Sequence, residues 1–404
     1  MQRIYMDANA TTPLLPEVFD AMRPFWIEHF GNASSIHQQG QFARAAVDHA
    51  RDTVARLLHC RASEVVFTSG GTESDNLALF GVLNQARLPN AEPPHLITSS
   101  IEHNAVLNTA QHIAKGSFQV TILPCTAQGL IEPAVLAAAI QPNTKLVSIM
   151  LGNNETGVIQ PIAPLAAITH AAGALFHTDA VQAAGKLPID LSPQGEFKDV
   201  DLLSISGHKM YAPKGTGILF VRRNVRLTPL FYGGSHERQR RPGTENVAGI
   251  VALGKAAELA QDWLAQDAPN DGPTFLASLR DRLEQGLLAQ IEDSGVNGAG
   301  APRAANTTNL YFDHIEAEAL VIALDLKGLS ISGGSACHSG ATEPSHVLTA
   351  MGLSAARARA SVRLSLSRHT TAQEVDAALD LIPSAVARLR DLSPTWQKKT
   401  AAVA

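Results

Sequence analysis

The chain has 404 residues, of which 45% are hydrophobic and 17% charged, the balance of a globular enzyme and not of a disordered segment. That length permits a large core and two domains. A net charge of −5, with no clustered Lys/Arg interleaved with aromatics, argues against direct nucleic-acid binding. The start, "MQRIYMDANATTP", has no long apolar run and no cleavage-site pattern, so a signal peptide is not expected. No apolar stretch reaches the ~18 residues of a membrane span. Three widely spaced cysteines, Cys60, Cys125 and Cys337, make neither a disulfide framework nor a zinc set, and the expected compartment is a reducing cytoplasm.

From about residue 45 to 250, helical and strand-like patterns alternate. "FARAAVDHARDTVARLL" is helix-periodic, "EVVFTS" is a short apolar strand ending in a Gly-Gly turn, and "TESDNLALFGVLNQA" opens as helix N-termini do. "HLITSS", "QVTILP", "KLVSIML", "LFHTDA", "LLSIS" and "GILFV" follow as buried strands. Such alternation predicts an α/β fold with a mostly parallel central sheet flanked by helices. Beyond 250 helices dominate, with "TTNLYF", "LSIS" and "SVRLSLS" as short strands. The expected division is a large domain over 13–250 and a smaller α+β domain made of 251–404 with 1–12.

Four stretches of the first domain carry chemistry. In "VVFTSGGTESDN" a strand gives way to Gly71 and Thr72 at a helix start, where free N–H groups and the helix dipole favour a phosphate. A Gly turn with a Thr N-cap is the plainer alternative, and no Gly-Lys-Ser/Thr makes this a P-loop. In "LFHTDAVQ" Asp179 ends a strand and Gln182 follows, placing a carboxylate in the ligand crevice of a parallel sheet. In "LLSISGHKMYAPKGTG" a strand runs into Ser206, His208 and Lys209; a partly desolvated lysine there suits a Schiff base. His103 opens a helix after "HLIT", and Asn154 follows another strand. Each signal is weak alone. A phosphate cup, an aspartate and a lysine at the strand ends of one sheet together suit pyridoxal phosphate, whose ring nitrogen the aspartate would keep protonated.

Cys337 lies in "SISGGSACHSGATEPSHVL". Glycines and serines cannot build a core, so this stretch reads as a mobile loop.

Over nearly its whole length the chain resembles the pyridoxal-phosphate-dependent cysteine desulfurases, class V of the fold-type-I enzymes. The resemblance rests on "DANATTP", "GNASSIHQQG", "TSGGTESDN", "IEHNAV", "NNETGVIQPI", "HTDAVQAAGK", "SGHKMYAPKG", "RPGTENV", "SGGSAC", "EPSHVL" and "SVRLSLSRHT". It implies that Lys209 is the Schiff-base lysine and that His103 stacks on the ring and moves protons. Asp179 would face the ring nitrogen and Gln182 the phenolic oxygen. Gly71, Thr72, Ser206 and His208 would hold the phosphate, and Asn154 would sit by cofactor and substrate. Arg363 would pair with the substrate carboxylate. Thr244 would reach the phosphate of a second subunit, which implies a homodimer. Cys337 would be the nucleophile that takes sulfur from L-cysteine, releasing L-alanine, and its persulfide would pass to an acceptor or scaffold protein, as in iron–sulfur assembly or nucleic-acid thiolation. A loop suits a thiol that must serve both places. No permanent metal site is expected, although Cys337 is a candidate transient iron–sulfur ligand.

The sequence departs from the family at Ala33, where proline is usual, and at His338, where Ser or Thr is commoner. A protonated His338 would favour the Cys337 thiolate. "GGT" and "GTENV" resemble the nitrogen-fixation branch, and the short tail leaves the partner open. Selenocysteine lyase shares fold and cofactor and remains the alternative. Aminotransferases and kynureninase-like enzymes do not need the loop cysteine. A sulfur-carrier subunit without activity is opposed by Lys209, Asp179 and Cys337 together. A metallohydrolase lacks any H-E-x-x-H motif.

Overall fold

The computed structural model describes residues 3–89, 91–266, 268, 270–333 and 343–397. Among them twelve strands form three sheets. The strands are β1 (Ile4–Tyr5), β2 (Val65–Thr68), β3 (His95–Ser99), β4 (Gln119–Leu123), β5 (Thr144–Ser148), β6 (Leu175–Asp179), β7 (Leu202–Ser206), β8 (Gly217–Val221), β9 (Ser294–Val296), β10 (Thr307–Phe312), β11 (Leu329–Ser330) and β12 (Ser361–Ser365).

The large sheet has the order β2-β8-β7-β6-β5-β3-β4. Every strand in it but β8 runs in one direction, so the sheet is mostly parallel, as the strand–helix alternation predicts. β3, β7 and β8 are buried at every position, as strands covered on both faces must be. Successive side chains enter opposite layers. Ile97, Val147, Leu203 and Ile218 pack in one apolar cluster with the helices Gln38–Leu57 and Val247–Leu264. Leu96, Leu146, Leu202 and Leu219 pack in another, with Gly71–Ala86 and Asn104–Ala114. Each fully buried leucine contributes about 1.5–3 kcal/mol, so the period-2 pattern holds the register.

β9, β10 and β12 form an antiparallel sheet of order β12-β10-β9. It shares a separate cluster, including Leu283, Leu310, Val362 and Ile382, with the helices Gly272–Gln290 and Ala372–Asp391. β1 pairs in parallel with β11, Ile4 opposite Leu329. Met6 belongs to this third cluster and Leu15 to the first. The segment between them therefore crosses from one cluster to the other and passes the ends of the parallel strands. At the helix His346–Ala350, Val347 and Leu348 pack into the first cluster. No helix among the described residues is long and apolar enough to cross a membrane.

Candidate active site

Because β2, β3, β5, β6 and β7 run the same way, the segments that follow them share one edge of the sheet, where open parallel sheets bind ligands. A cavity of about 330 Å³ lies there. Gly71, Thr72, His103, Asn154, Asp179, Gln182, Ser206, His208, Lys209 and Arg363 all line it. Ten predicted positions spread over almost 300 residues of sequence thus meet in one place.

The turn after β2 is shaped by two close approaches. A Cβ on Gly217 would lie 2.5 Å from Gly70 Cα, and one on Gly71 would lie 2.7 Å from Val181 Cγ2. Glycine at both positions lets β8 and the Asp179 loop close on the start of the helix Gly71–Ala86. Ser206 is buried at the end of β7, and His208 Nδ1 lies 3.1 Å from Thr11 Oγ1. Burial, then Lys209, Lys214 and Lys186, lower His208 to about 4, so it offers a neutral ring.

Lys209 Nζ donates to the main-chain carbonyls of Asn9 (2.5 Å) and Ala10 (2.7 Å). His103 caps its helix, with Nδ1 accepting from Ala105 N at 3.1 Å. An acceptor Nδ1 places the neutral ring's proton on Nε2. Burial lowers the His103 pKa, with Asp179 opposing and Lys209 and His346 adding to it. His103 is therefore uncharged near neutral pH.

Three carboxyls lie together behind this edge. Asp179 Oδ1 accepts from Val181 N at 2.8 Å. Its pKa is raised by burial, against the pull of His103, the Val181 N–H and Lys209. Asp75 is raised well above the carboxylate range by burial and then by Asp179. Burial also raises Glu102 to about 8, although Ser99 and Met150 N hydrogen-bond to it. Burial thus favours the protonated forms of Asp75 and Glu102, whereas Asp179 has Lys209 nearby to favour its charge.

Arg363 is 2% exposed. Its Nη2 is 2.7 Å from Asp7 Oδ1 and its Nη1 donates to Asn154 O at 2.9 Å. Arg363 Nε and Asn154 Oδ1 are buried without a hydrogen-bond partner among the described residues.

Thr244 does not join this cavity. It is exposed and lines a neighbouring one of about 180 Å³ with Ser69, Gly217 and Arg241. Cys337 and His338 lie outside the described residues. Sequence reasoning missed Asn9, Asp75, Glu155, Lys186 and His346, and Glu102 as an acid. All but Lys186 line the cavity or, for Glu102, back it through the His346 Nε2 bond to the Glu102 carbonyl at 2.9 Å. Most stood inside the motifs quoted above, but a polar residue in a motif does not announce that it is buried.

The site and sheet are those of a pyridoxal-phosphate enzyme, and the chain matches the aminotransferase class-V family over residues 4–378. It is 48% identical to "Cysteine desulfurase 2" of Trichormus variabilis over 98% of this chain and 96% of that one. Among solved structures, a "NifS-like protein" has a TM-score of 0.86 at 34% identity, covering 96% of this chain and all 100% of its own. "SspA in complex with cysteine" has a TM-score of 0.78 at 36% identity, covering 91% and 100%. The chain belongs to the aminotransferase class-V family and, within it, to the cysteine desulfurases.

Pyridoxal phosphate is the cofactor of this family, and the residues present fit it. The cavity offers an amine, a deep carboxyl, hydroxyls beside a helix N-terminus, and buried polar atoms without partners among the described residues.

Proposed function

We propose that this chain removes sulfur from L-cysteine, giving L-alanine and a persulfide on Cys337 that is handed to an acceptor protein. The observation that supports this most is the meeting of Lys209, Asp179 and Arg363 in one cavity. The relative solved with cysteine supports the substrate. When bound, pyridoxal phosphate supplies an electron-accepting ring and an aldehyde.

Lys209 would hold the cofactor through its amine, with the phosphate cupped by Gly71, Thr72, Ser206 and His208. Asp179 would keep a proton on the ring nitrogen, and Gln182 would donate to the ring oxygen. The Lys209 amine would also be placed to move a proton on the bound substrate. His103, neutral with its proton on Nε2, can exchange a proton with the substrate amine. Arg363 would bind the substrate carboxylate, and its contacts to Asp7 and Asn154 aim the guanidinium before substrate arrives. The Cys337 thiolate then attacks the substrate sulfur; an S–S bond forms, the C–S bond breaks, and the carbon takes a proton to become alanine. The sum is L-cysteine plus enzyme thiol giving L-alanine plus enzyme persulfide, with no external oxidant.

We further propose a homodimer acting in the cytoplasm, where thiols are kept reduced, and delivery of sulfur to iron–sulfur or other thiolation pathways. The deciding experiment is mass spectrometry after incubation with L-cysteine and no reductant. One added sulfur is expected on the peptide containing Cys337. Sulfur on Cys60 or Cys125 instead, or alanine made at the full rate by Cys337→Ser, would overturn the reading.

A further inference from the structure

Lys186 is a second buried amine beside the site, and none of the roles above uses it. It is 9% exposed. Its Nζ donates to Gln182 Oε1 at 2.8 Å and to Asn9 Oδ1 at 3.1 Å. An ammonium has donors only, so both of its partners must turn their carbonyl oxygens toward it. That decides which end of each amide faces elsewhere. The Gln182 –NH₂ is left to donate: one N–H goes to Asn9 O at 2.9 Å, and the other is free to face the cavity that Gln182 lines. Asn9 is turned the same way, with Nδ2 donating to Thr307 Oγ1 (2.9 Å) and Asn154 O (3.2 Å). Its Oδ1 also accepts from Asn306 Nδ2 at 3.0 Å. Lys186 and Lys209 thus grip the side chain and the main chain of the same asparagine.

We propose that Lys186 is a positioning residue: it locks Gln182 as a hydrogen-bond donor toward the cavity, so that this wall selects a ligand with an anionic oxygen on its ring. The inference rests on the pyridoxal-phosphate reading. Burial, then Lys209 and Arg363, depress the Lys186 pKa to about 7. An amine held at such a cost is favoured by an anionic neighbour.

The test compares dissociation constants of pyridoxal phosphate and of 3-deoxypyridoxal phosphate, which lacks the ring oxygen, by titration of the purified apoprotein. Wild type should prefer the first. Lys186→Met should lose that preference by at least about tenfold, the effect of one hydrogen bond to a charged group, while holding the deoxy analogue almost as wild type does. In a Gln182→Ala background, Lys186→Met should change the preference little. If Lys186→Met does not fold, Lys186→Gln, also neutral, is judged by the same ratio. Equal weakening of both ligands, or an unchanged preference, overturns the inference while leaving the cofactor reading intact. A wild-type protein that binds neither ligand overturns both.

Discussion

Arg363 Nη2 lies 2.7 Å from Asp7 Oδ1, and this pair ties β12 to the N-terminal segment at the wall of the cavity. Asp7 also bridges to Ser365, two residues along the same strand. A guanidinium this deeply buried persists only when paired. The same contact therefore fixes the chain's start on β12 and aims a charged fork at the site.

Arg363→Lys should raise KM for L-cysteine by about 10²-fold or more, since one ammonium cannot replace a bidentate fork. Arg363→Ala should in addition cost about 3–5 kcal/mol of stability by leaving Asp7 unpaired. Steady-state kinetics with chemical denaturation separate the two effects. A KM within twofold of wild type for Arg363→Lys would remove the carboxylate role.

Lys209→Ala should abolish covalent cofactor attachment. Borohydride treatment of wild type should add the cofactor's mass to the peptide containing Lys209, and the same treatment of the variant should add none. Undiminished labelling of the variant would assign the linkage to another lysine.

Asp179→Ala should lower turnover by about 10²–10⁴-fold, the range of a lost proton-transfer or charge partner. Cofactor retention should fall far less, because Ser206, His208 and the Gly71 turn remain. Equilibrium dialysis beside an alanine-formation assay distinguishes these. Near-normal turnover would take Asp179 out of the mechanism.

Glu102 makes stability depend on pH. Burial lifts it from 4.5 to about 8, so between those values the native state keeps a proton that the unfolded chain releases. Its contribution is full below pH 4.5 and is lost as pH rises through about 8. Lys186 has the opposite sign: its contribution is full above 10.5 and is lost as pH falls through about 7. Glu102→Gln should therefore flatten the decline of the unfolding temperature from mildly acid to mildly alkaline pH, measured by calorimetry. An unchanged slope would point to Asp75 as its main source.

The dimer is expected to bury the exposed apolar side chains Trp26, Phe30, Ile36 and Tyr232, together with the open depression of about 1000 Å³ between Ile36 and Arg238. Glu237, Arg238 and Gln239 hold positive φ there, and Arg51 clamps Glu237 at 2.6 Å. Glu237→Ala should release this strained turn ahead of Thr244 and weaken both association and cofactor binding. Light scattering that shows a fully active monomer would refute the dimer.

The strands, the helix starts and the residues at their junctions were legible because their signals are local. A run such as "LLSIS" followed by Gly207-His208-Lys209 states its own burial and its own end. Nine of the ten cavity residues follow strands of the large sheet and had to converge, because parallel strands in one sheet finish at one edge, whereas Arg363 comes from β12 of the antiparallel sheet. What local pattern could not state is which distant segments face each other. β1 and β9 are too short or too polar to show a period. Asn9 reaches Lys186 across 177 positions of sequence and Thr307 across 298. Asp75 and Glu102 look like surface acids in helical or turn sequence, yet full burial strips them of water and raises their pKa values. Periodicity records how each segment meets the core, whereas charge state and hydrogen-bond direction depend on neighbours brought in from elsewhere in the chain, which only the packed fold supplies.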